Sequence, residues 1–228
     1  YRAARANGQH AVLLAVQGGN AFDGGAVADA PDDLITRVTV VHLTDSALGA
    51  TSSPLRLPWR GTGLTPAGEA FVEQLNAARV FVDLAHIHPD GFWRALDVHA
   101  PDLPPIVTHT GVDGVHPHWR NLDDAQIKAI ADRGGVVGIM IHQAFLGRPA
   151  DLDQVVRHLD HVVQVGGEGA VALGTDYDGA ITPPAAMGSG DAGYLRLVQA
   201  LLDHGWPEAR IRGMLGGNFL RSFGGLRG

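Results

Sequence analysis

Six short segments, apolar almost throughout, alternate along this chain with stretches of helical periodicity. They are Ala11–Val16, Thr36–His42, Arg79–His86, Pro105–His109, Val136–His142 and Ala170–Thr175. Each is rich in Val, Ile and Leu and lacks the in-out alternation of a half-exposed strand. That is how a strand buried on both faces reads, as in a parallel sheet covered by helices. The intervening helices are expected at Pro66–Ala78, capped by Thr65, at Pro89–His99, and at a segment capped by Asn121 or Asp123 that ends at Arg133. Others are expected at Asp151–Val165, where Leu152, Val155, Val156, Leu159, Val162 and Val163 share one face, at Gly190–His204 and at Pro207–Leu215. A shorter helix is expected at Gly25–Ile35. Strand-helix alternation implies an α/β fold with right-handed crossovers. Six strands suit an open doubly wound sheet or six-eighths of a (β/α)8 barrel, and periodicity alone does not choose.

Composition narrows the function. With 228 residues the chain reads as a single domain, 1–228. The excess of acidic over basic residues, net charge −7, gives no footprint for nucleic acid or an anionic membrane surface. No apolar run approaches the roughly 20 residues of a membrane span, and no signal-peptide layout opens the chain, so the cytoplasm is the default compartment. The absence of cysteine removes disulfides, thiolate metal sites and Cys nucleophiles, whereas twelve histidines direct attention to imidazole and carboxylate chemistry.

The residues that end the strands are the informative ones: Gln17, His42, His86, His109, His142 and Asp176. Parallel sheets carry their sites at the carboxyl edges of their strands, so these side chains converge if the strands are parallel. One buried histidine is ordinarily a hydrogen-bonded core residue, and His142 by itself reads so. Four at successive strand ends read instead as ligands and proton carriers, with His86 and His109 as the metal pair. His158, His161 and His204 fall on helices and read as surface or helix-packing residues. Asp83, three residues before His86, reads as too far along its strand to support the ligands. Arg120, just before a helix, suits either a bidentate grip on a substrate carboxylate or a brace for that helix.

Several segments together carry a family resemblance: GLTPAGEAFVEQLN at 63–76, VDLAHIHPDGFW at 82–93, IVTHTGV at 106–112, HWRNLDDAQIKAIADRGGVVGI at 118–139, VALGTDYDG at 171–179 and LGGNFLRSF at 215–223. Over nearly its whole length the chain resembles the membrane (renal) dipeptidase family of zinc peptidases. The resemblance implies a partial (β/α)8 TIM-like barrel of about six parallel strands with flanking helices, matching the family's third to eighth strands. It implies His86 and His109 as zinc ligands, His42 as the group that steadies the oxyanion, Arg120 as the grip on a dipeptide's terminal carboxylate, and Asp176 as the proton-transfer residue. Gln17 stands where the family has its metal-bridging Glu, and an amide coordinates only weakly. The family's His-x-Asp strand has no counterpart, so one zinc ion is expected rather than two.

A chain lacking two strands is expected to be a fragment. The alternatives are completion by another copy, which would make a homodimer, and a sheet that closes differently over six strands. The function implied is hydrolysis of dipeptides with a free C-terminus by a metal-activated water. The rivals are a non-catalytic dipeptidase-like binding protein and a hydrolase of another carboxylate-bearing amide or lactam.

Overall fold

The computed structural model describes residues 1–22, 34–55, 61–188 and 191–228. Six parallel strands lie in chain order: β1 (Leu14–Gln17), β2 (Ile35–Thr39), β3 (Phe81–Asp83), β4 (Ile106–Thr110), β5 (Val136–Ile139) and β6 (Val171–Leu173). Among the described residues β1 and β6 are the two edges and do not pair, so the arrangement is a partial barrel of the α/β class and does not close over six strands. Every expected strand is present, and all except β4 are shorter than their apolar runs. The short helix expected at Gly25–Ile35 lies outside the described residues except for its last two positions, of which Ile35 begins β2.

The helices between strands form where local chemistry favours them. In α2 (Pro66–Ala77), Pro66 occupies the first turn and the Thr65 hydroxyl accepts from Gly68 N at 3.1 Å. Gly68 is required by packing, since a Cβ there would lie 2.0 Å from the Leu48 carbonyl oxygen. Next comes α3 (Pro89–Val98), and α4 (Asp124–Asp132) opens with a capping box in which Asp123 accepts from Gln126 N and Gln126 answers at Asp123 N. Asp123, not Asn121, is therefore the cap. In α6 (Leu152–Gly166), Asp151 caps, and Val155, Val156, Leu159 and Val162 are buried on one face. Helix α7 spans Asp191–Asp203.

Two helices were not expected, α5 (Gln143–Leu146) and α9 (Asn218–Arg227), whereas α1 (Arg2–Ala6) opens the chain, where the family resemblance implies a helix. The expected terminal helix is interrupted, with α8 (Glu208–Arg212) passing through a π-type turn at Gly213–Gly217 into α9. Glycines at 213, 216, 217, 224 and 225 hide this helix, because glycine disfavours helix by roughly 1 kcal/mol. Packing overrides propensity here. Phe219, Phe223 and Leu226 of α9 join Phe81, Ile106, Val136 and Ala172 in a second core beneath the sheet.

Adjacent residues in a strand point to opposite faces. Val82, Val107, Val137 and Val171 therefore pack with the helices in the main core, while their neighbours Phe81, Ile106, Val136 and Ala172 face α9. Asp83 and Thr108 share this second face one pleat further along. In register with Phe81 and Asp83 on the neighbouring strand, Arg37 and Thr39 do the same. The polar layer and the site above it thus lie at the carboxyl end of the face that α9 closes from below.

Candidate metal and substrate site

Four of the six strand-end residues stand beyond the hydrogen-bonded ladder. His42, His86, His142 and Asp176 each lie three residues past the last residue of β2, β3, β5 and β6, whereas Gln17 and His109 are within β1 and β4. His86 (φ 68°) and Asp176 (φ 57°) adopt the left-handed region, which costs a non-glycine residue about 1 kcal/mol or more. At His109 the strand is irregular, for the β4–β5 register shifts between Val107 and Thr110. Room for this turn comes from Gly138 and Gly174, where a Cβ would lie 2.0 and 1.8 Å from the Thr108 carbonyl oxygen.

The rings meet. His86 Nε2 and His109 Nε2 are 2.8 Å apart, and the His42 ring lies edge-on to His86 with centroids 4.7 Å apart. The tautomer of His109 follows from the layer beneath. Thr108 Oγ1 donates to Asp83 Oδ2 at 2.7 Å, so its lone pair accepts from His109 Nδ1–H at 2.8 Å. His109 Nε2 then carries a lone pair, and His86 Nε2–H is the donor between the rings. A cation between them would need both lone pairs, with the His86 proton moved to Nδ1.

Asp83 anchors this arrangement, although its place along β3 argues from sequence against any such role. It does not touch a ligand, but it reaches His109 through Thr108. Its carboxylate is fully buried and accepts from Arg37 (2.7 Å), Thr39 (2.7 Å), Thr108 Oγ1 and the backbone N–H groups of Ala85 and Thr108. Burial opposes its ionisation, but Arg37, His109 and the hydroxyl donors outweigh burial and hold it down at about 2. The sequence carried a signal for this: an acid in an apolar strand needs a buried partner, and Arg37 sits at a matching place on the strand before.

Burial first, then the Arg120 charge, push His86 down to about 2 and His109 down to about 4. Both are neutral at neutral pH, the state that binds metal. Burial likewise lowers His42 and raises Asp176, with Arg120 and His42 opposing the rise. Gln17 Nε2 faces His42 Nε2 at 3.1 Å, and since an amide nitrogen only donates, the His42 nitrogen accepts.

Arg120 is buried and is not a brace for α4. It donates to the His109 carbonyl at 2.8 Å, and its Nε has no hydrogen-bond partner among the described residues. Burial lowers it to about 10, so it stays charged at neutral pH. An uncompensated guanidinium N–H at such depth suits a carboxylate.

His142 is half-buried and accepts from Thr182 N at 2.9 Å, outside the His86–His109 contact. His158 is a helix-packing residue, fully buried, with Val112 N donating to Nδ1 and Nε2 donating to the Leu146 carbonyl.

Two imidazoles beside a buried guanidinium fit a divalent metal with open positions. Among the described residues no group of three or more His, Cys, Asp or Glu side chains could hold one. The pair is thus one ligand short of the usual three-residue catalytic set. No helix among the described residues is long and apolar enough to cross a membrane.

The sequence model of the membrane dipeptidases, peptidase family M19, matches residues 1–226. An uncharacterised protein from the pqqA 5′ region of Klebsiella pneumoniae is 38% identical over 170 residues, which are 72% of this chain and 61% of that protein. The crystal structure of dipeptidase AC, a metallopeptidase of family M19, superposes with a TM-score of 0.84 at 29% identity over 99% of this chain and 68% of its own. A metallopeptidase from Rhodobacter sphaeroides, liganded with a phosphinate mimic of the dipeptide L-Ala-D-Ala, gives 0.84 at 28% identity over 99% and 65%. The chain therefore spans about six-tenths of the length of this curated relative.

Proposed function

The chain belongs to the membrane dipeptidase family, peptidase family M19, and from that premise we propose that it is a metal-dependent hydrolase of dipeptides with a free C-terminal carboxylate. One observation carries the reading: two neutral imidazole nitrogens converge at 2.8 Å beside a buried guanidinium whose Nε lacks a partner among the described residues. His86 and His109 would hold one zinc ion through Nε2. When bound, such an ion supplies Lewis-acid polarisation of a carbonyl and a lowered pKa for water.

The remaining chemistry belongs to side chains. Arg120 binds the terminal carboxylate and so fixes the scissile amide over the histidines. Asp176, its affinity for protons raised by burial, accepts a proton from the attacking water as the water oxygen adds to the carbonyl carbon. It returns that proton to the amide nitrogen as the C–N bond breaks. His42 donates to the carbonyl oxygen as negative charge develops there, a contribution of about 3 kcal/mol for one donor. Because the Gln17 amide donates to His42 Nε2, the proton available for this donation is on Nδ1.

The test combines metal analysis of the purified protein with hydrolysis of Ala-Ala before and after zinc addition. The expected result is zinc-dependent release of alanine. Protein that gains no activity with zinc overturns the mechanism.

A second reading, a non-catalytic binding protein, is favoured by Gln17 and by the lack of a three-ligand group among the described residues. Gln17→Glu separates the two. A carboxylate there would add a charged ligand, raising metal content and turnover if the site is catalytic. In a binding protein it changes neither.

A further inference from the structure

On the far side of the His142 rim lies an open cavity of about 1190 Å³, lined by His116, His142, Gln143, Gly147, Arg148 and Thr182 among others. Among the described residues no acidic side chain lines it, in a chain whose net charge is −7. Asp113 accepts from His118 N at 3.0 Å, and Asp151, next to the lining residue Ala150 in the chain, caps α6 at Gln154 N, also at 3.0 Å. The Arg148 guanidinium is exposed and makes no ion pair among the described residues. His142 uses Nδ1 to accept from Thr182 N, which leaves its proton on Nε2 as a donor. Aromatic packing fixes this wall, with His142 edge-on to Phe145 at 5.0 Å, His118 on Phe145 at 4.6 Å, and His116 stacked on His118 at 6.3 Å.

The cavity is tied to the catalytic rim at two points. The run His116–Arg120 leads from its wall to the buried guanidinium, and His118 Nδ1 accepts from Arg120 N. His142 also acts electrostatically on Asp176. If the proposed function holds, Arg120 and Asp176 both serve the same half of the substrate, one at its carboxylate and the other at its leaving nitrogen. The side chain of that C-terminal residue is then the part nearest the cavity. We propose that this cavity is a specificity subsite that receives an acidic side chain, Asp or Glu, of the substrate's C-terminal residue, with Arg148 and His142 as its donors. Charge-assisted bonds at a partly solvated rim discriminate a carboxylate from its amide isostere by roughly tenfold.

The experiment compares kcat/KM of the zinc-loaded protein for Ala-Asp against Ala-Asn and for Ala-Glu against Ala-Gln. The acidic member of each pair is expected to lead by roughly tenfold. In Arg148→Glu the ratio should fall to about one and Ala-Lys should gain. A ratio near one in the unaltered protein, or one that survives Arg148→Glu, overturns the subsite. If no dipeptide is cleaved, the proposed function fails separately, and calorimetric titration with aspartate and asparagine decides the subsite. Tighter, Arg148-dependent binding of aspartate upholds it, and equal or absent binding overturns it.

Discussion

Replacing Thr108 by Val tests whether a hydroxyl one hydrogen bond away from His109, a proposed metal ligand, decides its chemistry. The two side chains have nearly the same shape, so the main change is the loss of one buried O–H. That hydroxyl donates to Asp83 Oδ2 at 2.7 Å and accepts from His109 Nδ1 at 2.8 Å. Asp83 Oδ2 keeps Arg37 and Thr39 as donors, so the carboxylate remains satisfied. His109 Nδ1 does not: a buried N–H is left without an acceptor, at a cost of about 1–3 kcal/mol in stability. The ring is then free to carry its proton on Nε2, where it blocks coordination. Loss of such a supporting contact weakens metal binding by about 10–100-fold, equivalent to about 1.4–2.8 kcal/mol. Zinc titration against a competing chelator measures the affinity, and urea unfolding of the metal-free protein measures the stability. Thr108→Ser, which keeps the hydroxyl, should restore most of the zinc affinity. Wild-type zinc affinity in Thr108→Val would refute the tautomer assignment, as would an equal loss in Thr108→Ser.

Other outcomes follow from the same geometry. Burial holds His158 down at about 4, below its ordinary 6.5, so the unfolded chain binds the extra proton between those values. Stability attributable to neutral His158 is therefore complete above about pH 6.5 and falls by up to about 1.4 kcal/mol per pH unit toward pH 4; the stability gap between wild type and His158→Gln, read by urea unfolding, should narrow over that range. Arg120→Lys keeps the charge but loses the planar fork, and should raise KM for Ala-Ala about tenfold or more with a smaller change in kcat. Gly138→Ala places a Cβ 2.0 Å from the Thr108 carbonyl oxygen and should cost about 3 kcal/mol in the same unfolding assay.

The order of elements was legible because burial on both faces of a parallel strand writes itself as an uninterrupted apolar run, and all six runs became strands. The helix starts were legible where capping is local, as at Thr65, Asp123 and Asp151. Helix α9 was not, because its glycines argue against it and only Phe81, Ile106, Val136 and Ala172 on distant strands give Phe219 and Phe223 a place to pack. Of the site, residue types and strand-end positions were readable one residue at a time. The sequence by itself thus determined the parallel α/β pattern and the candidate side chains, since both are statements about neighbours along the chain. Tertiary structure alone decided that His86 and His109 meet nitrogen to nitrogen, that Asp83 acts through Thr108, and that Arg120 turns inward. The first depends on an irregular β4–β5 register, a left-handed turn at His86 and two missing Cβ atoms at Gly138 and Gly174. Distances across strands are set by packing, which no single segment encodes.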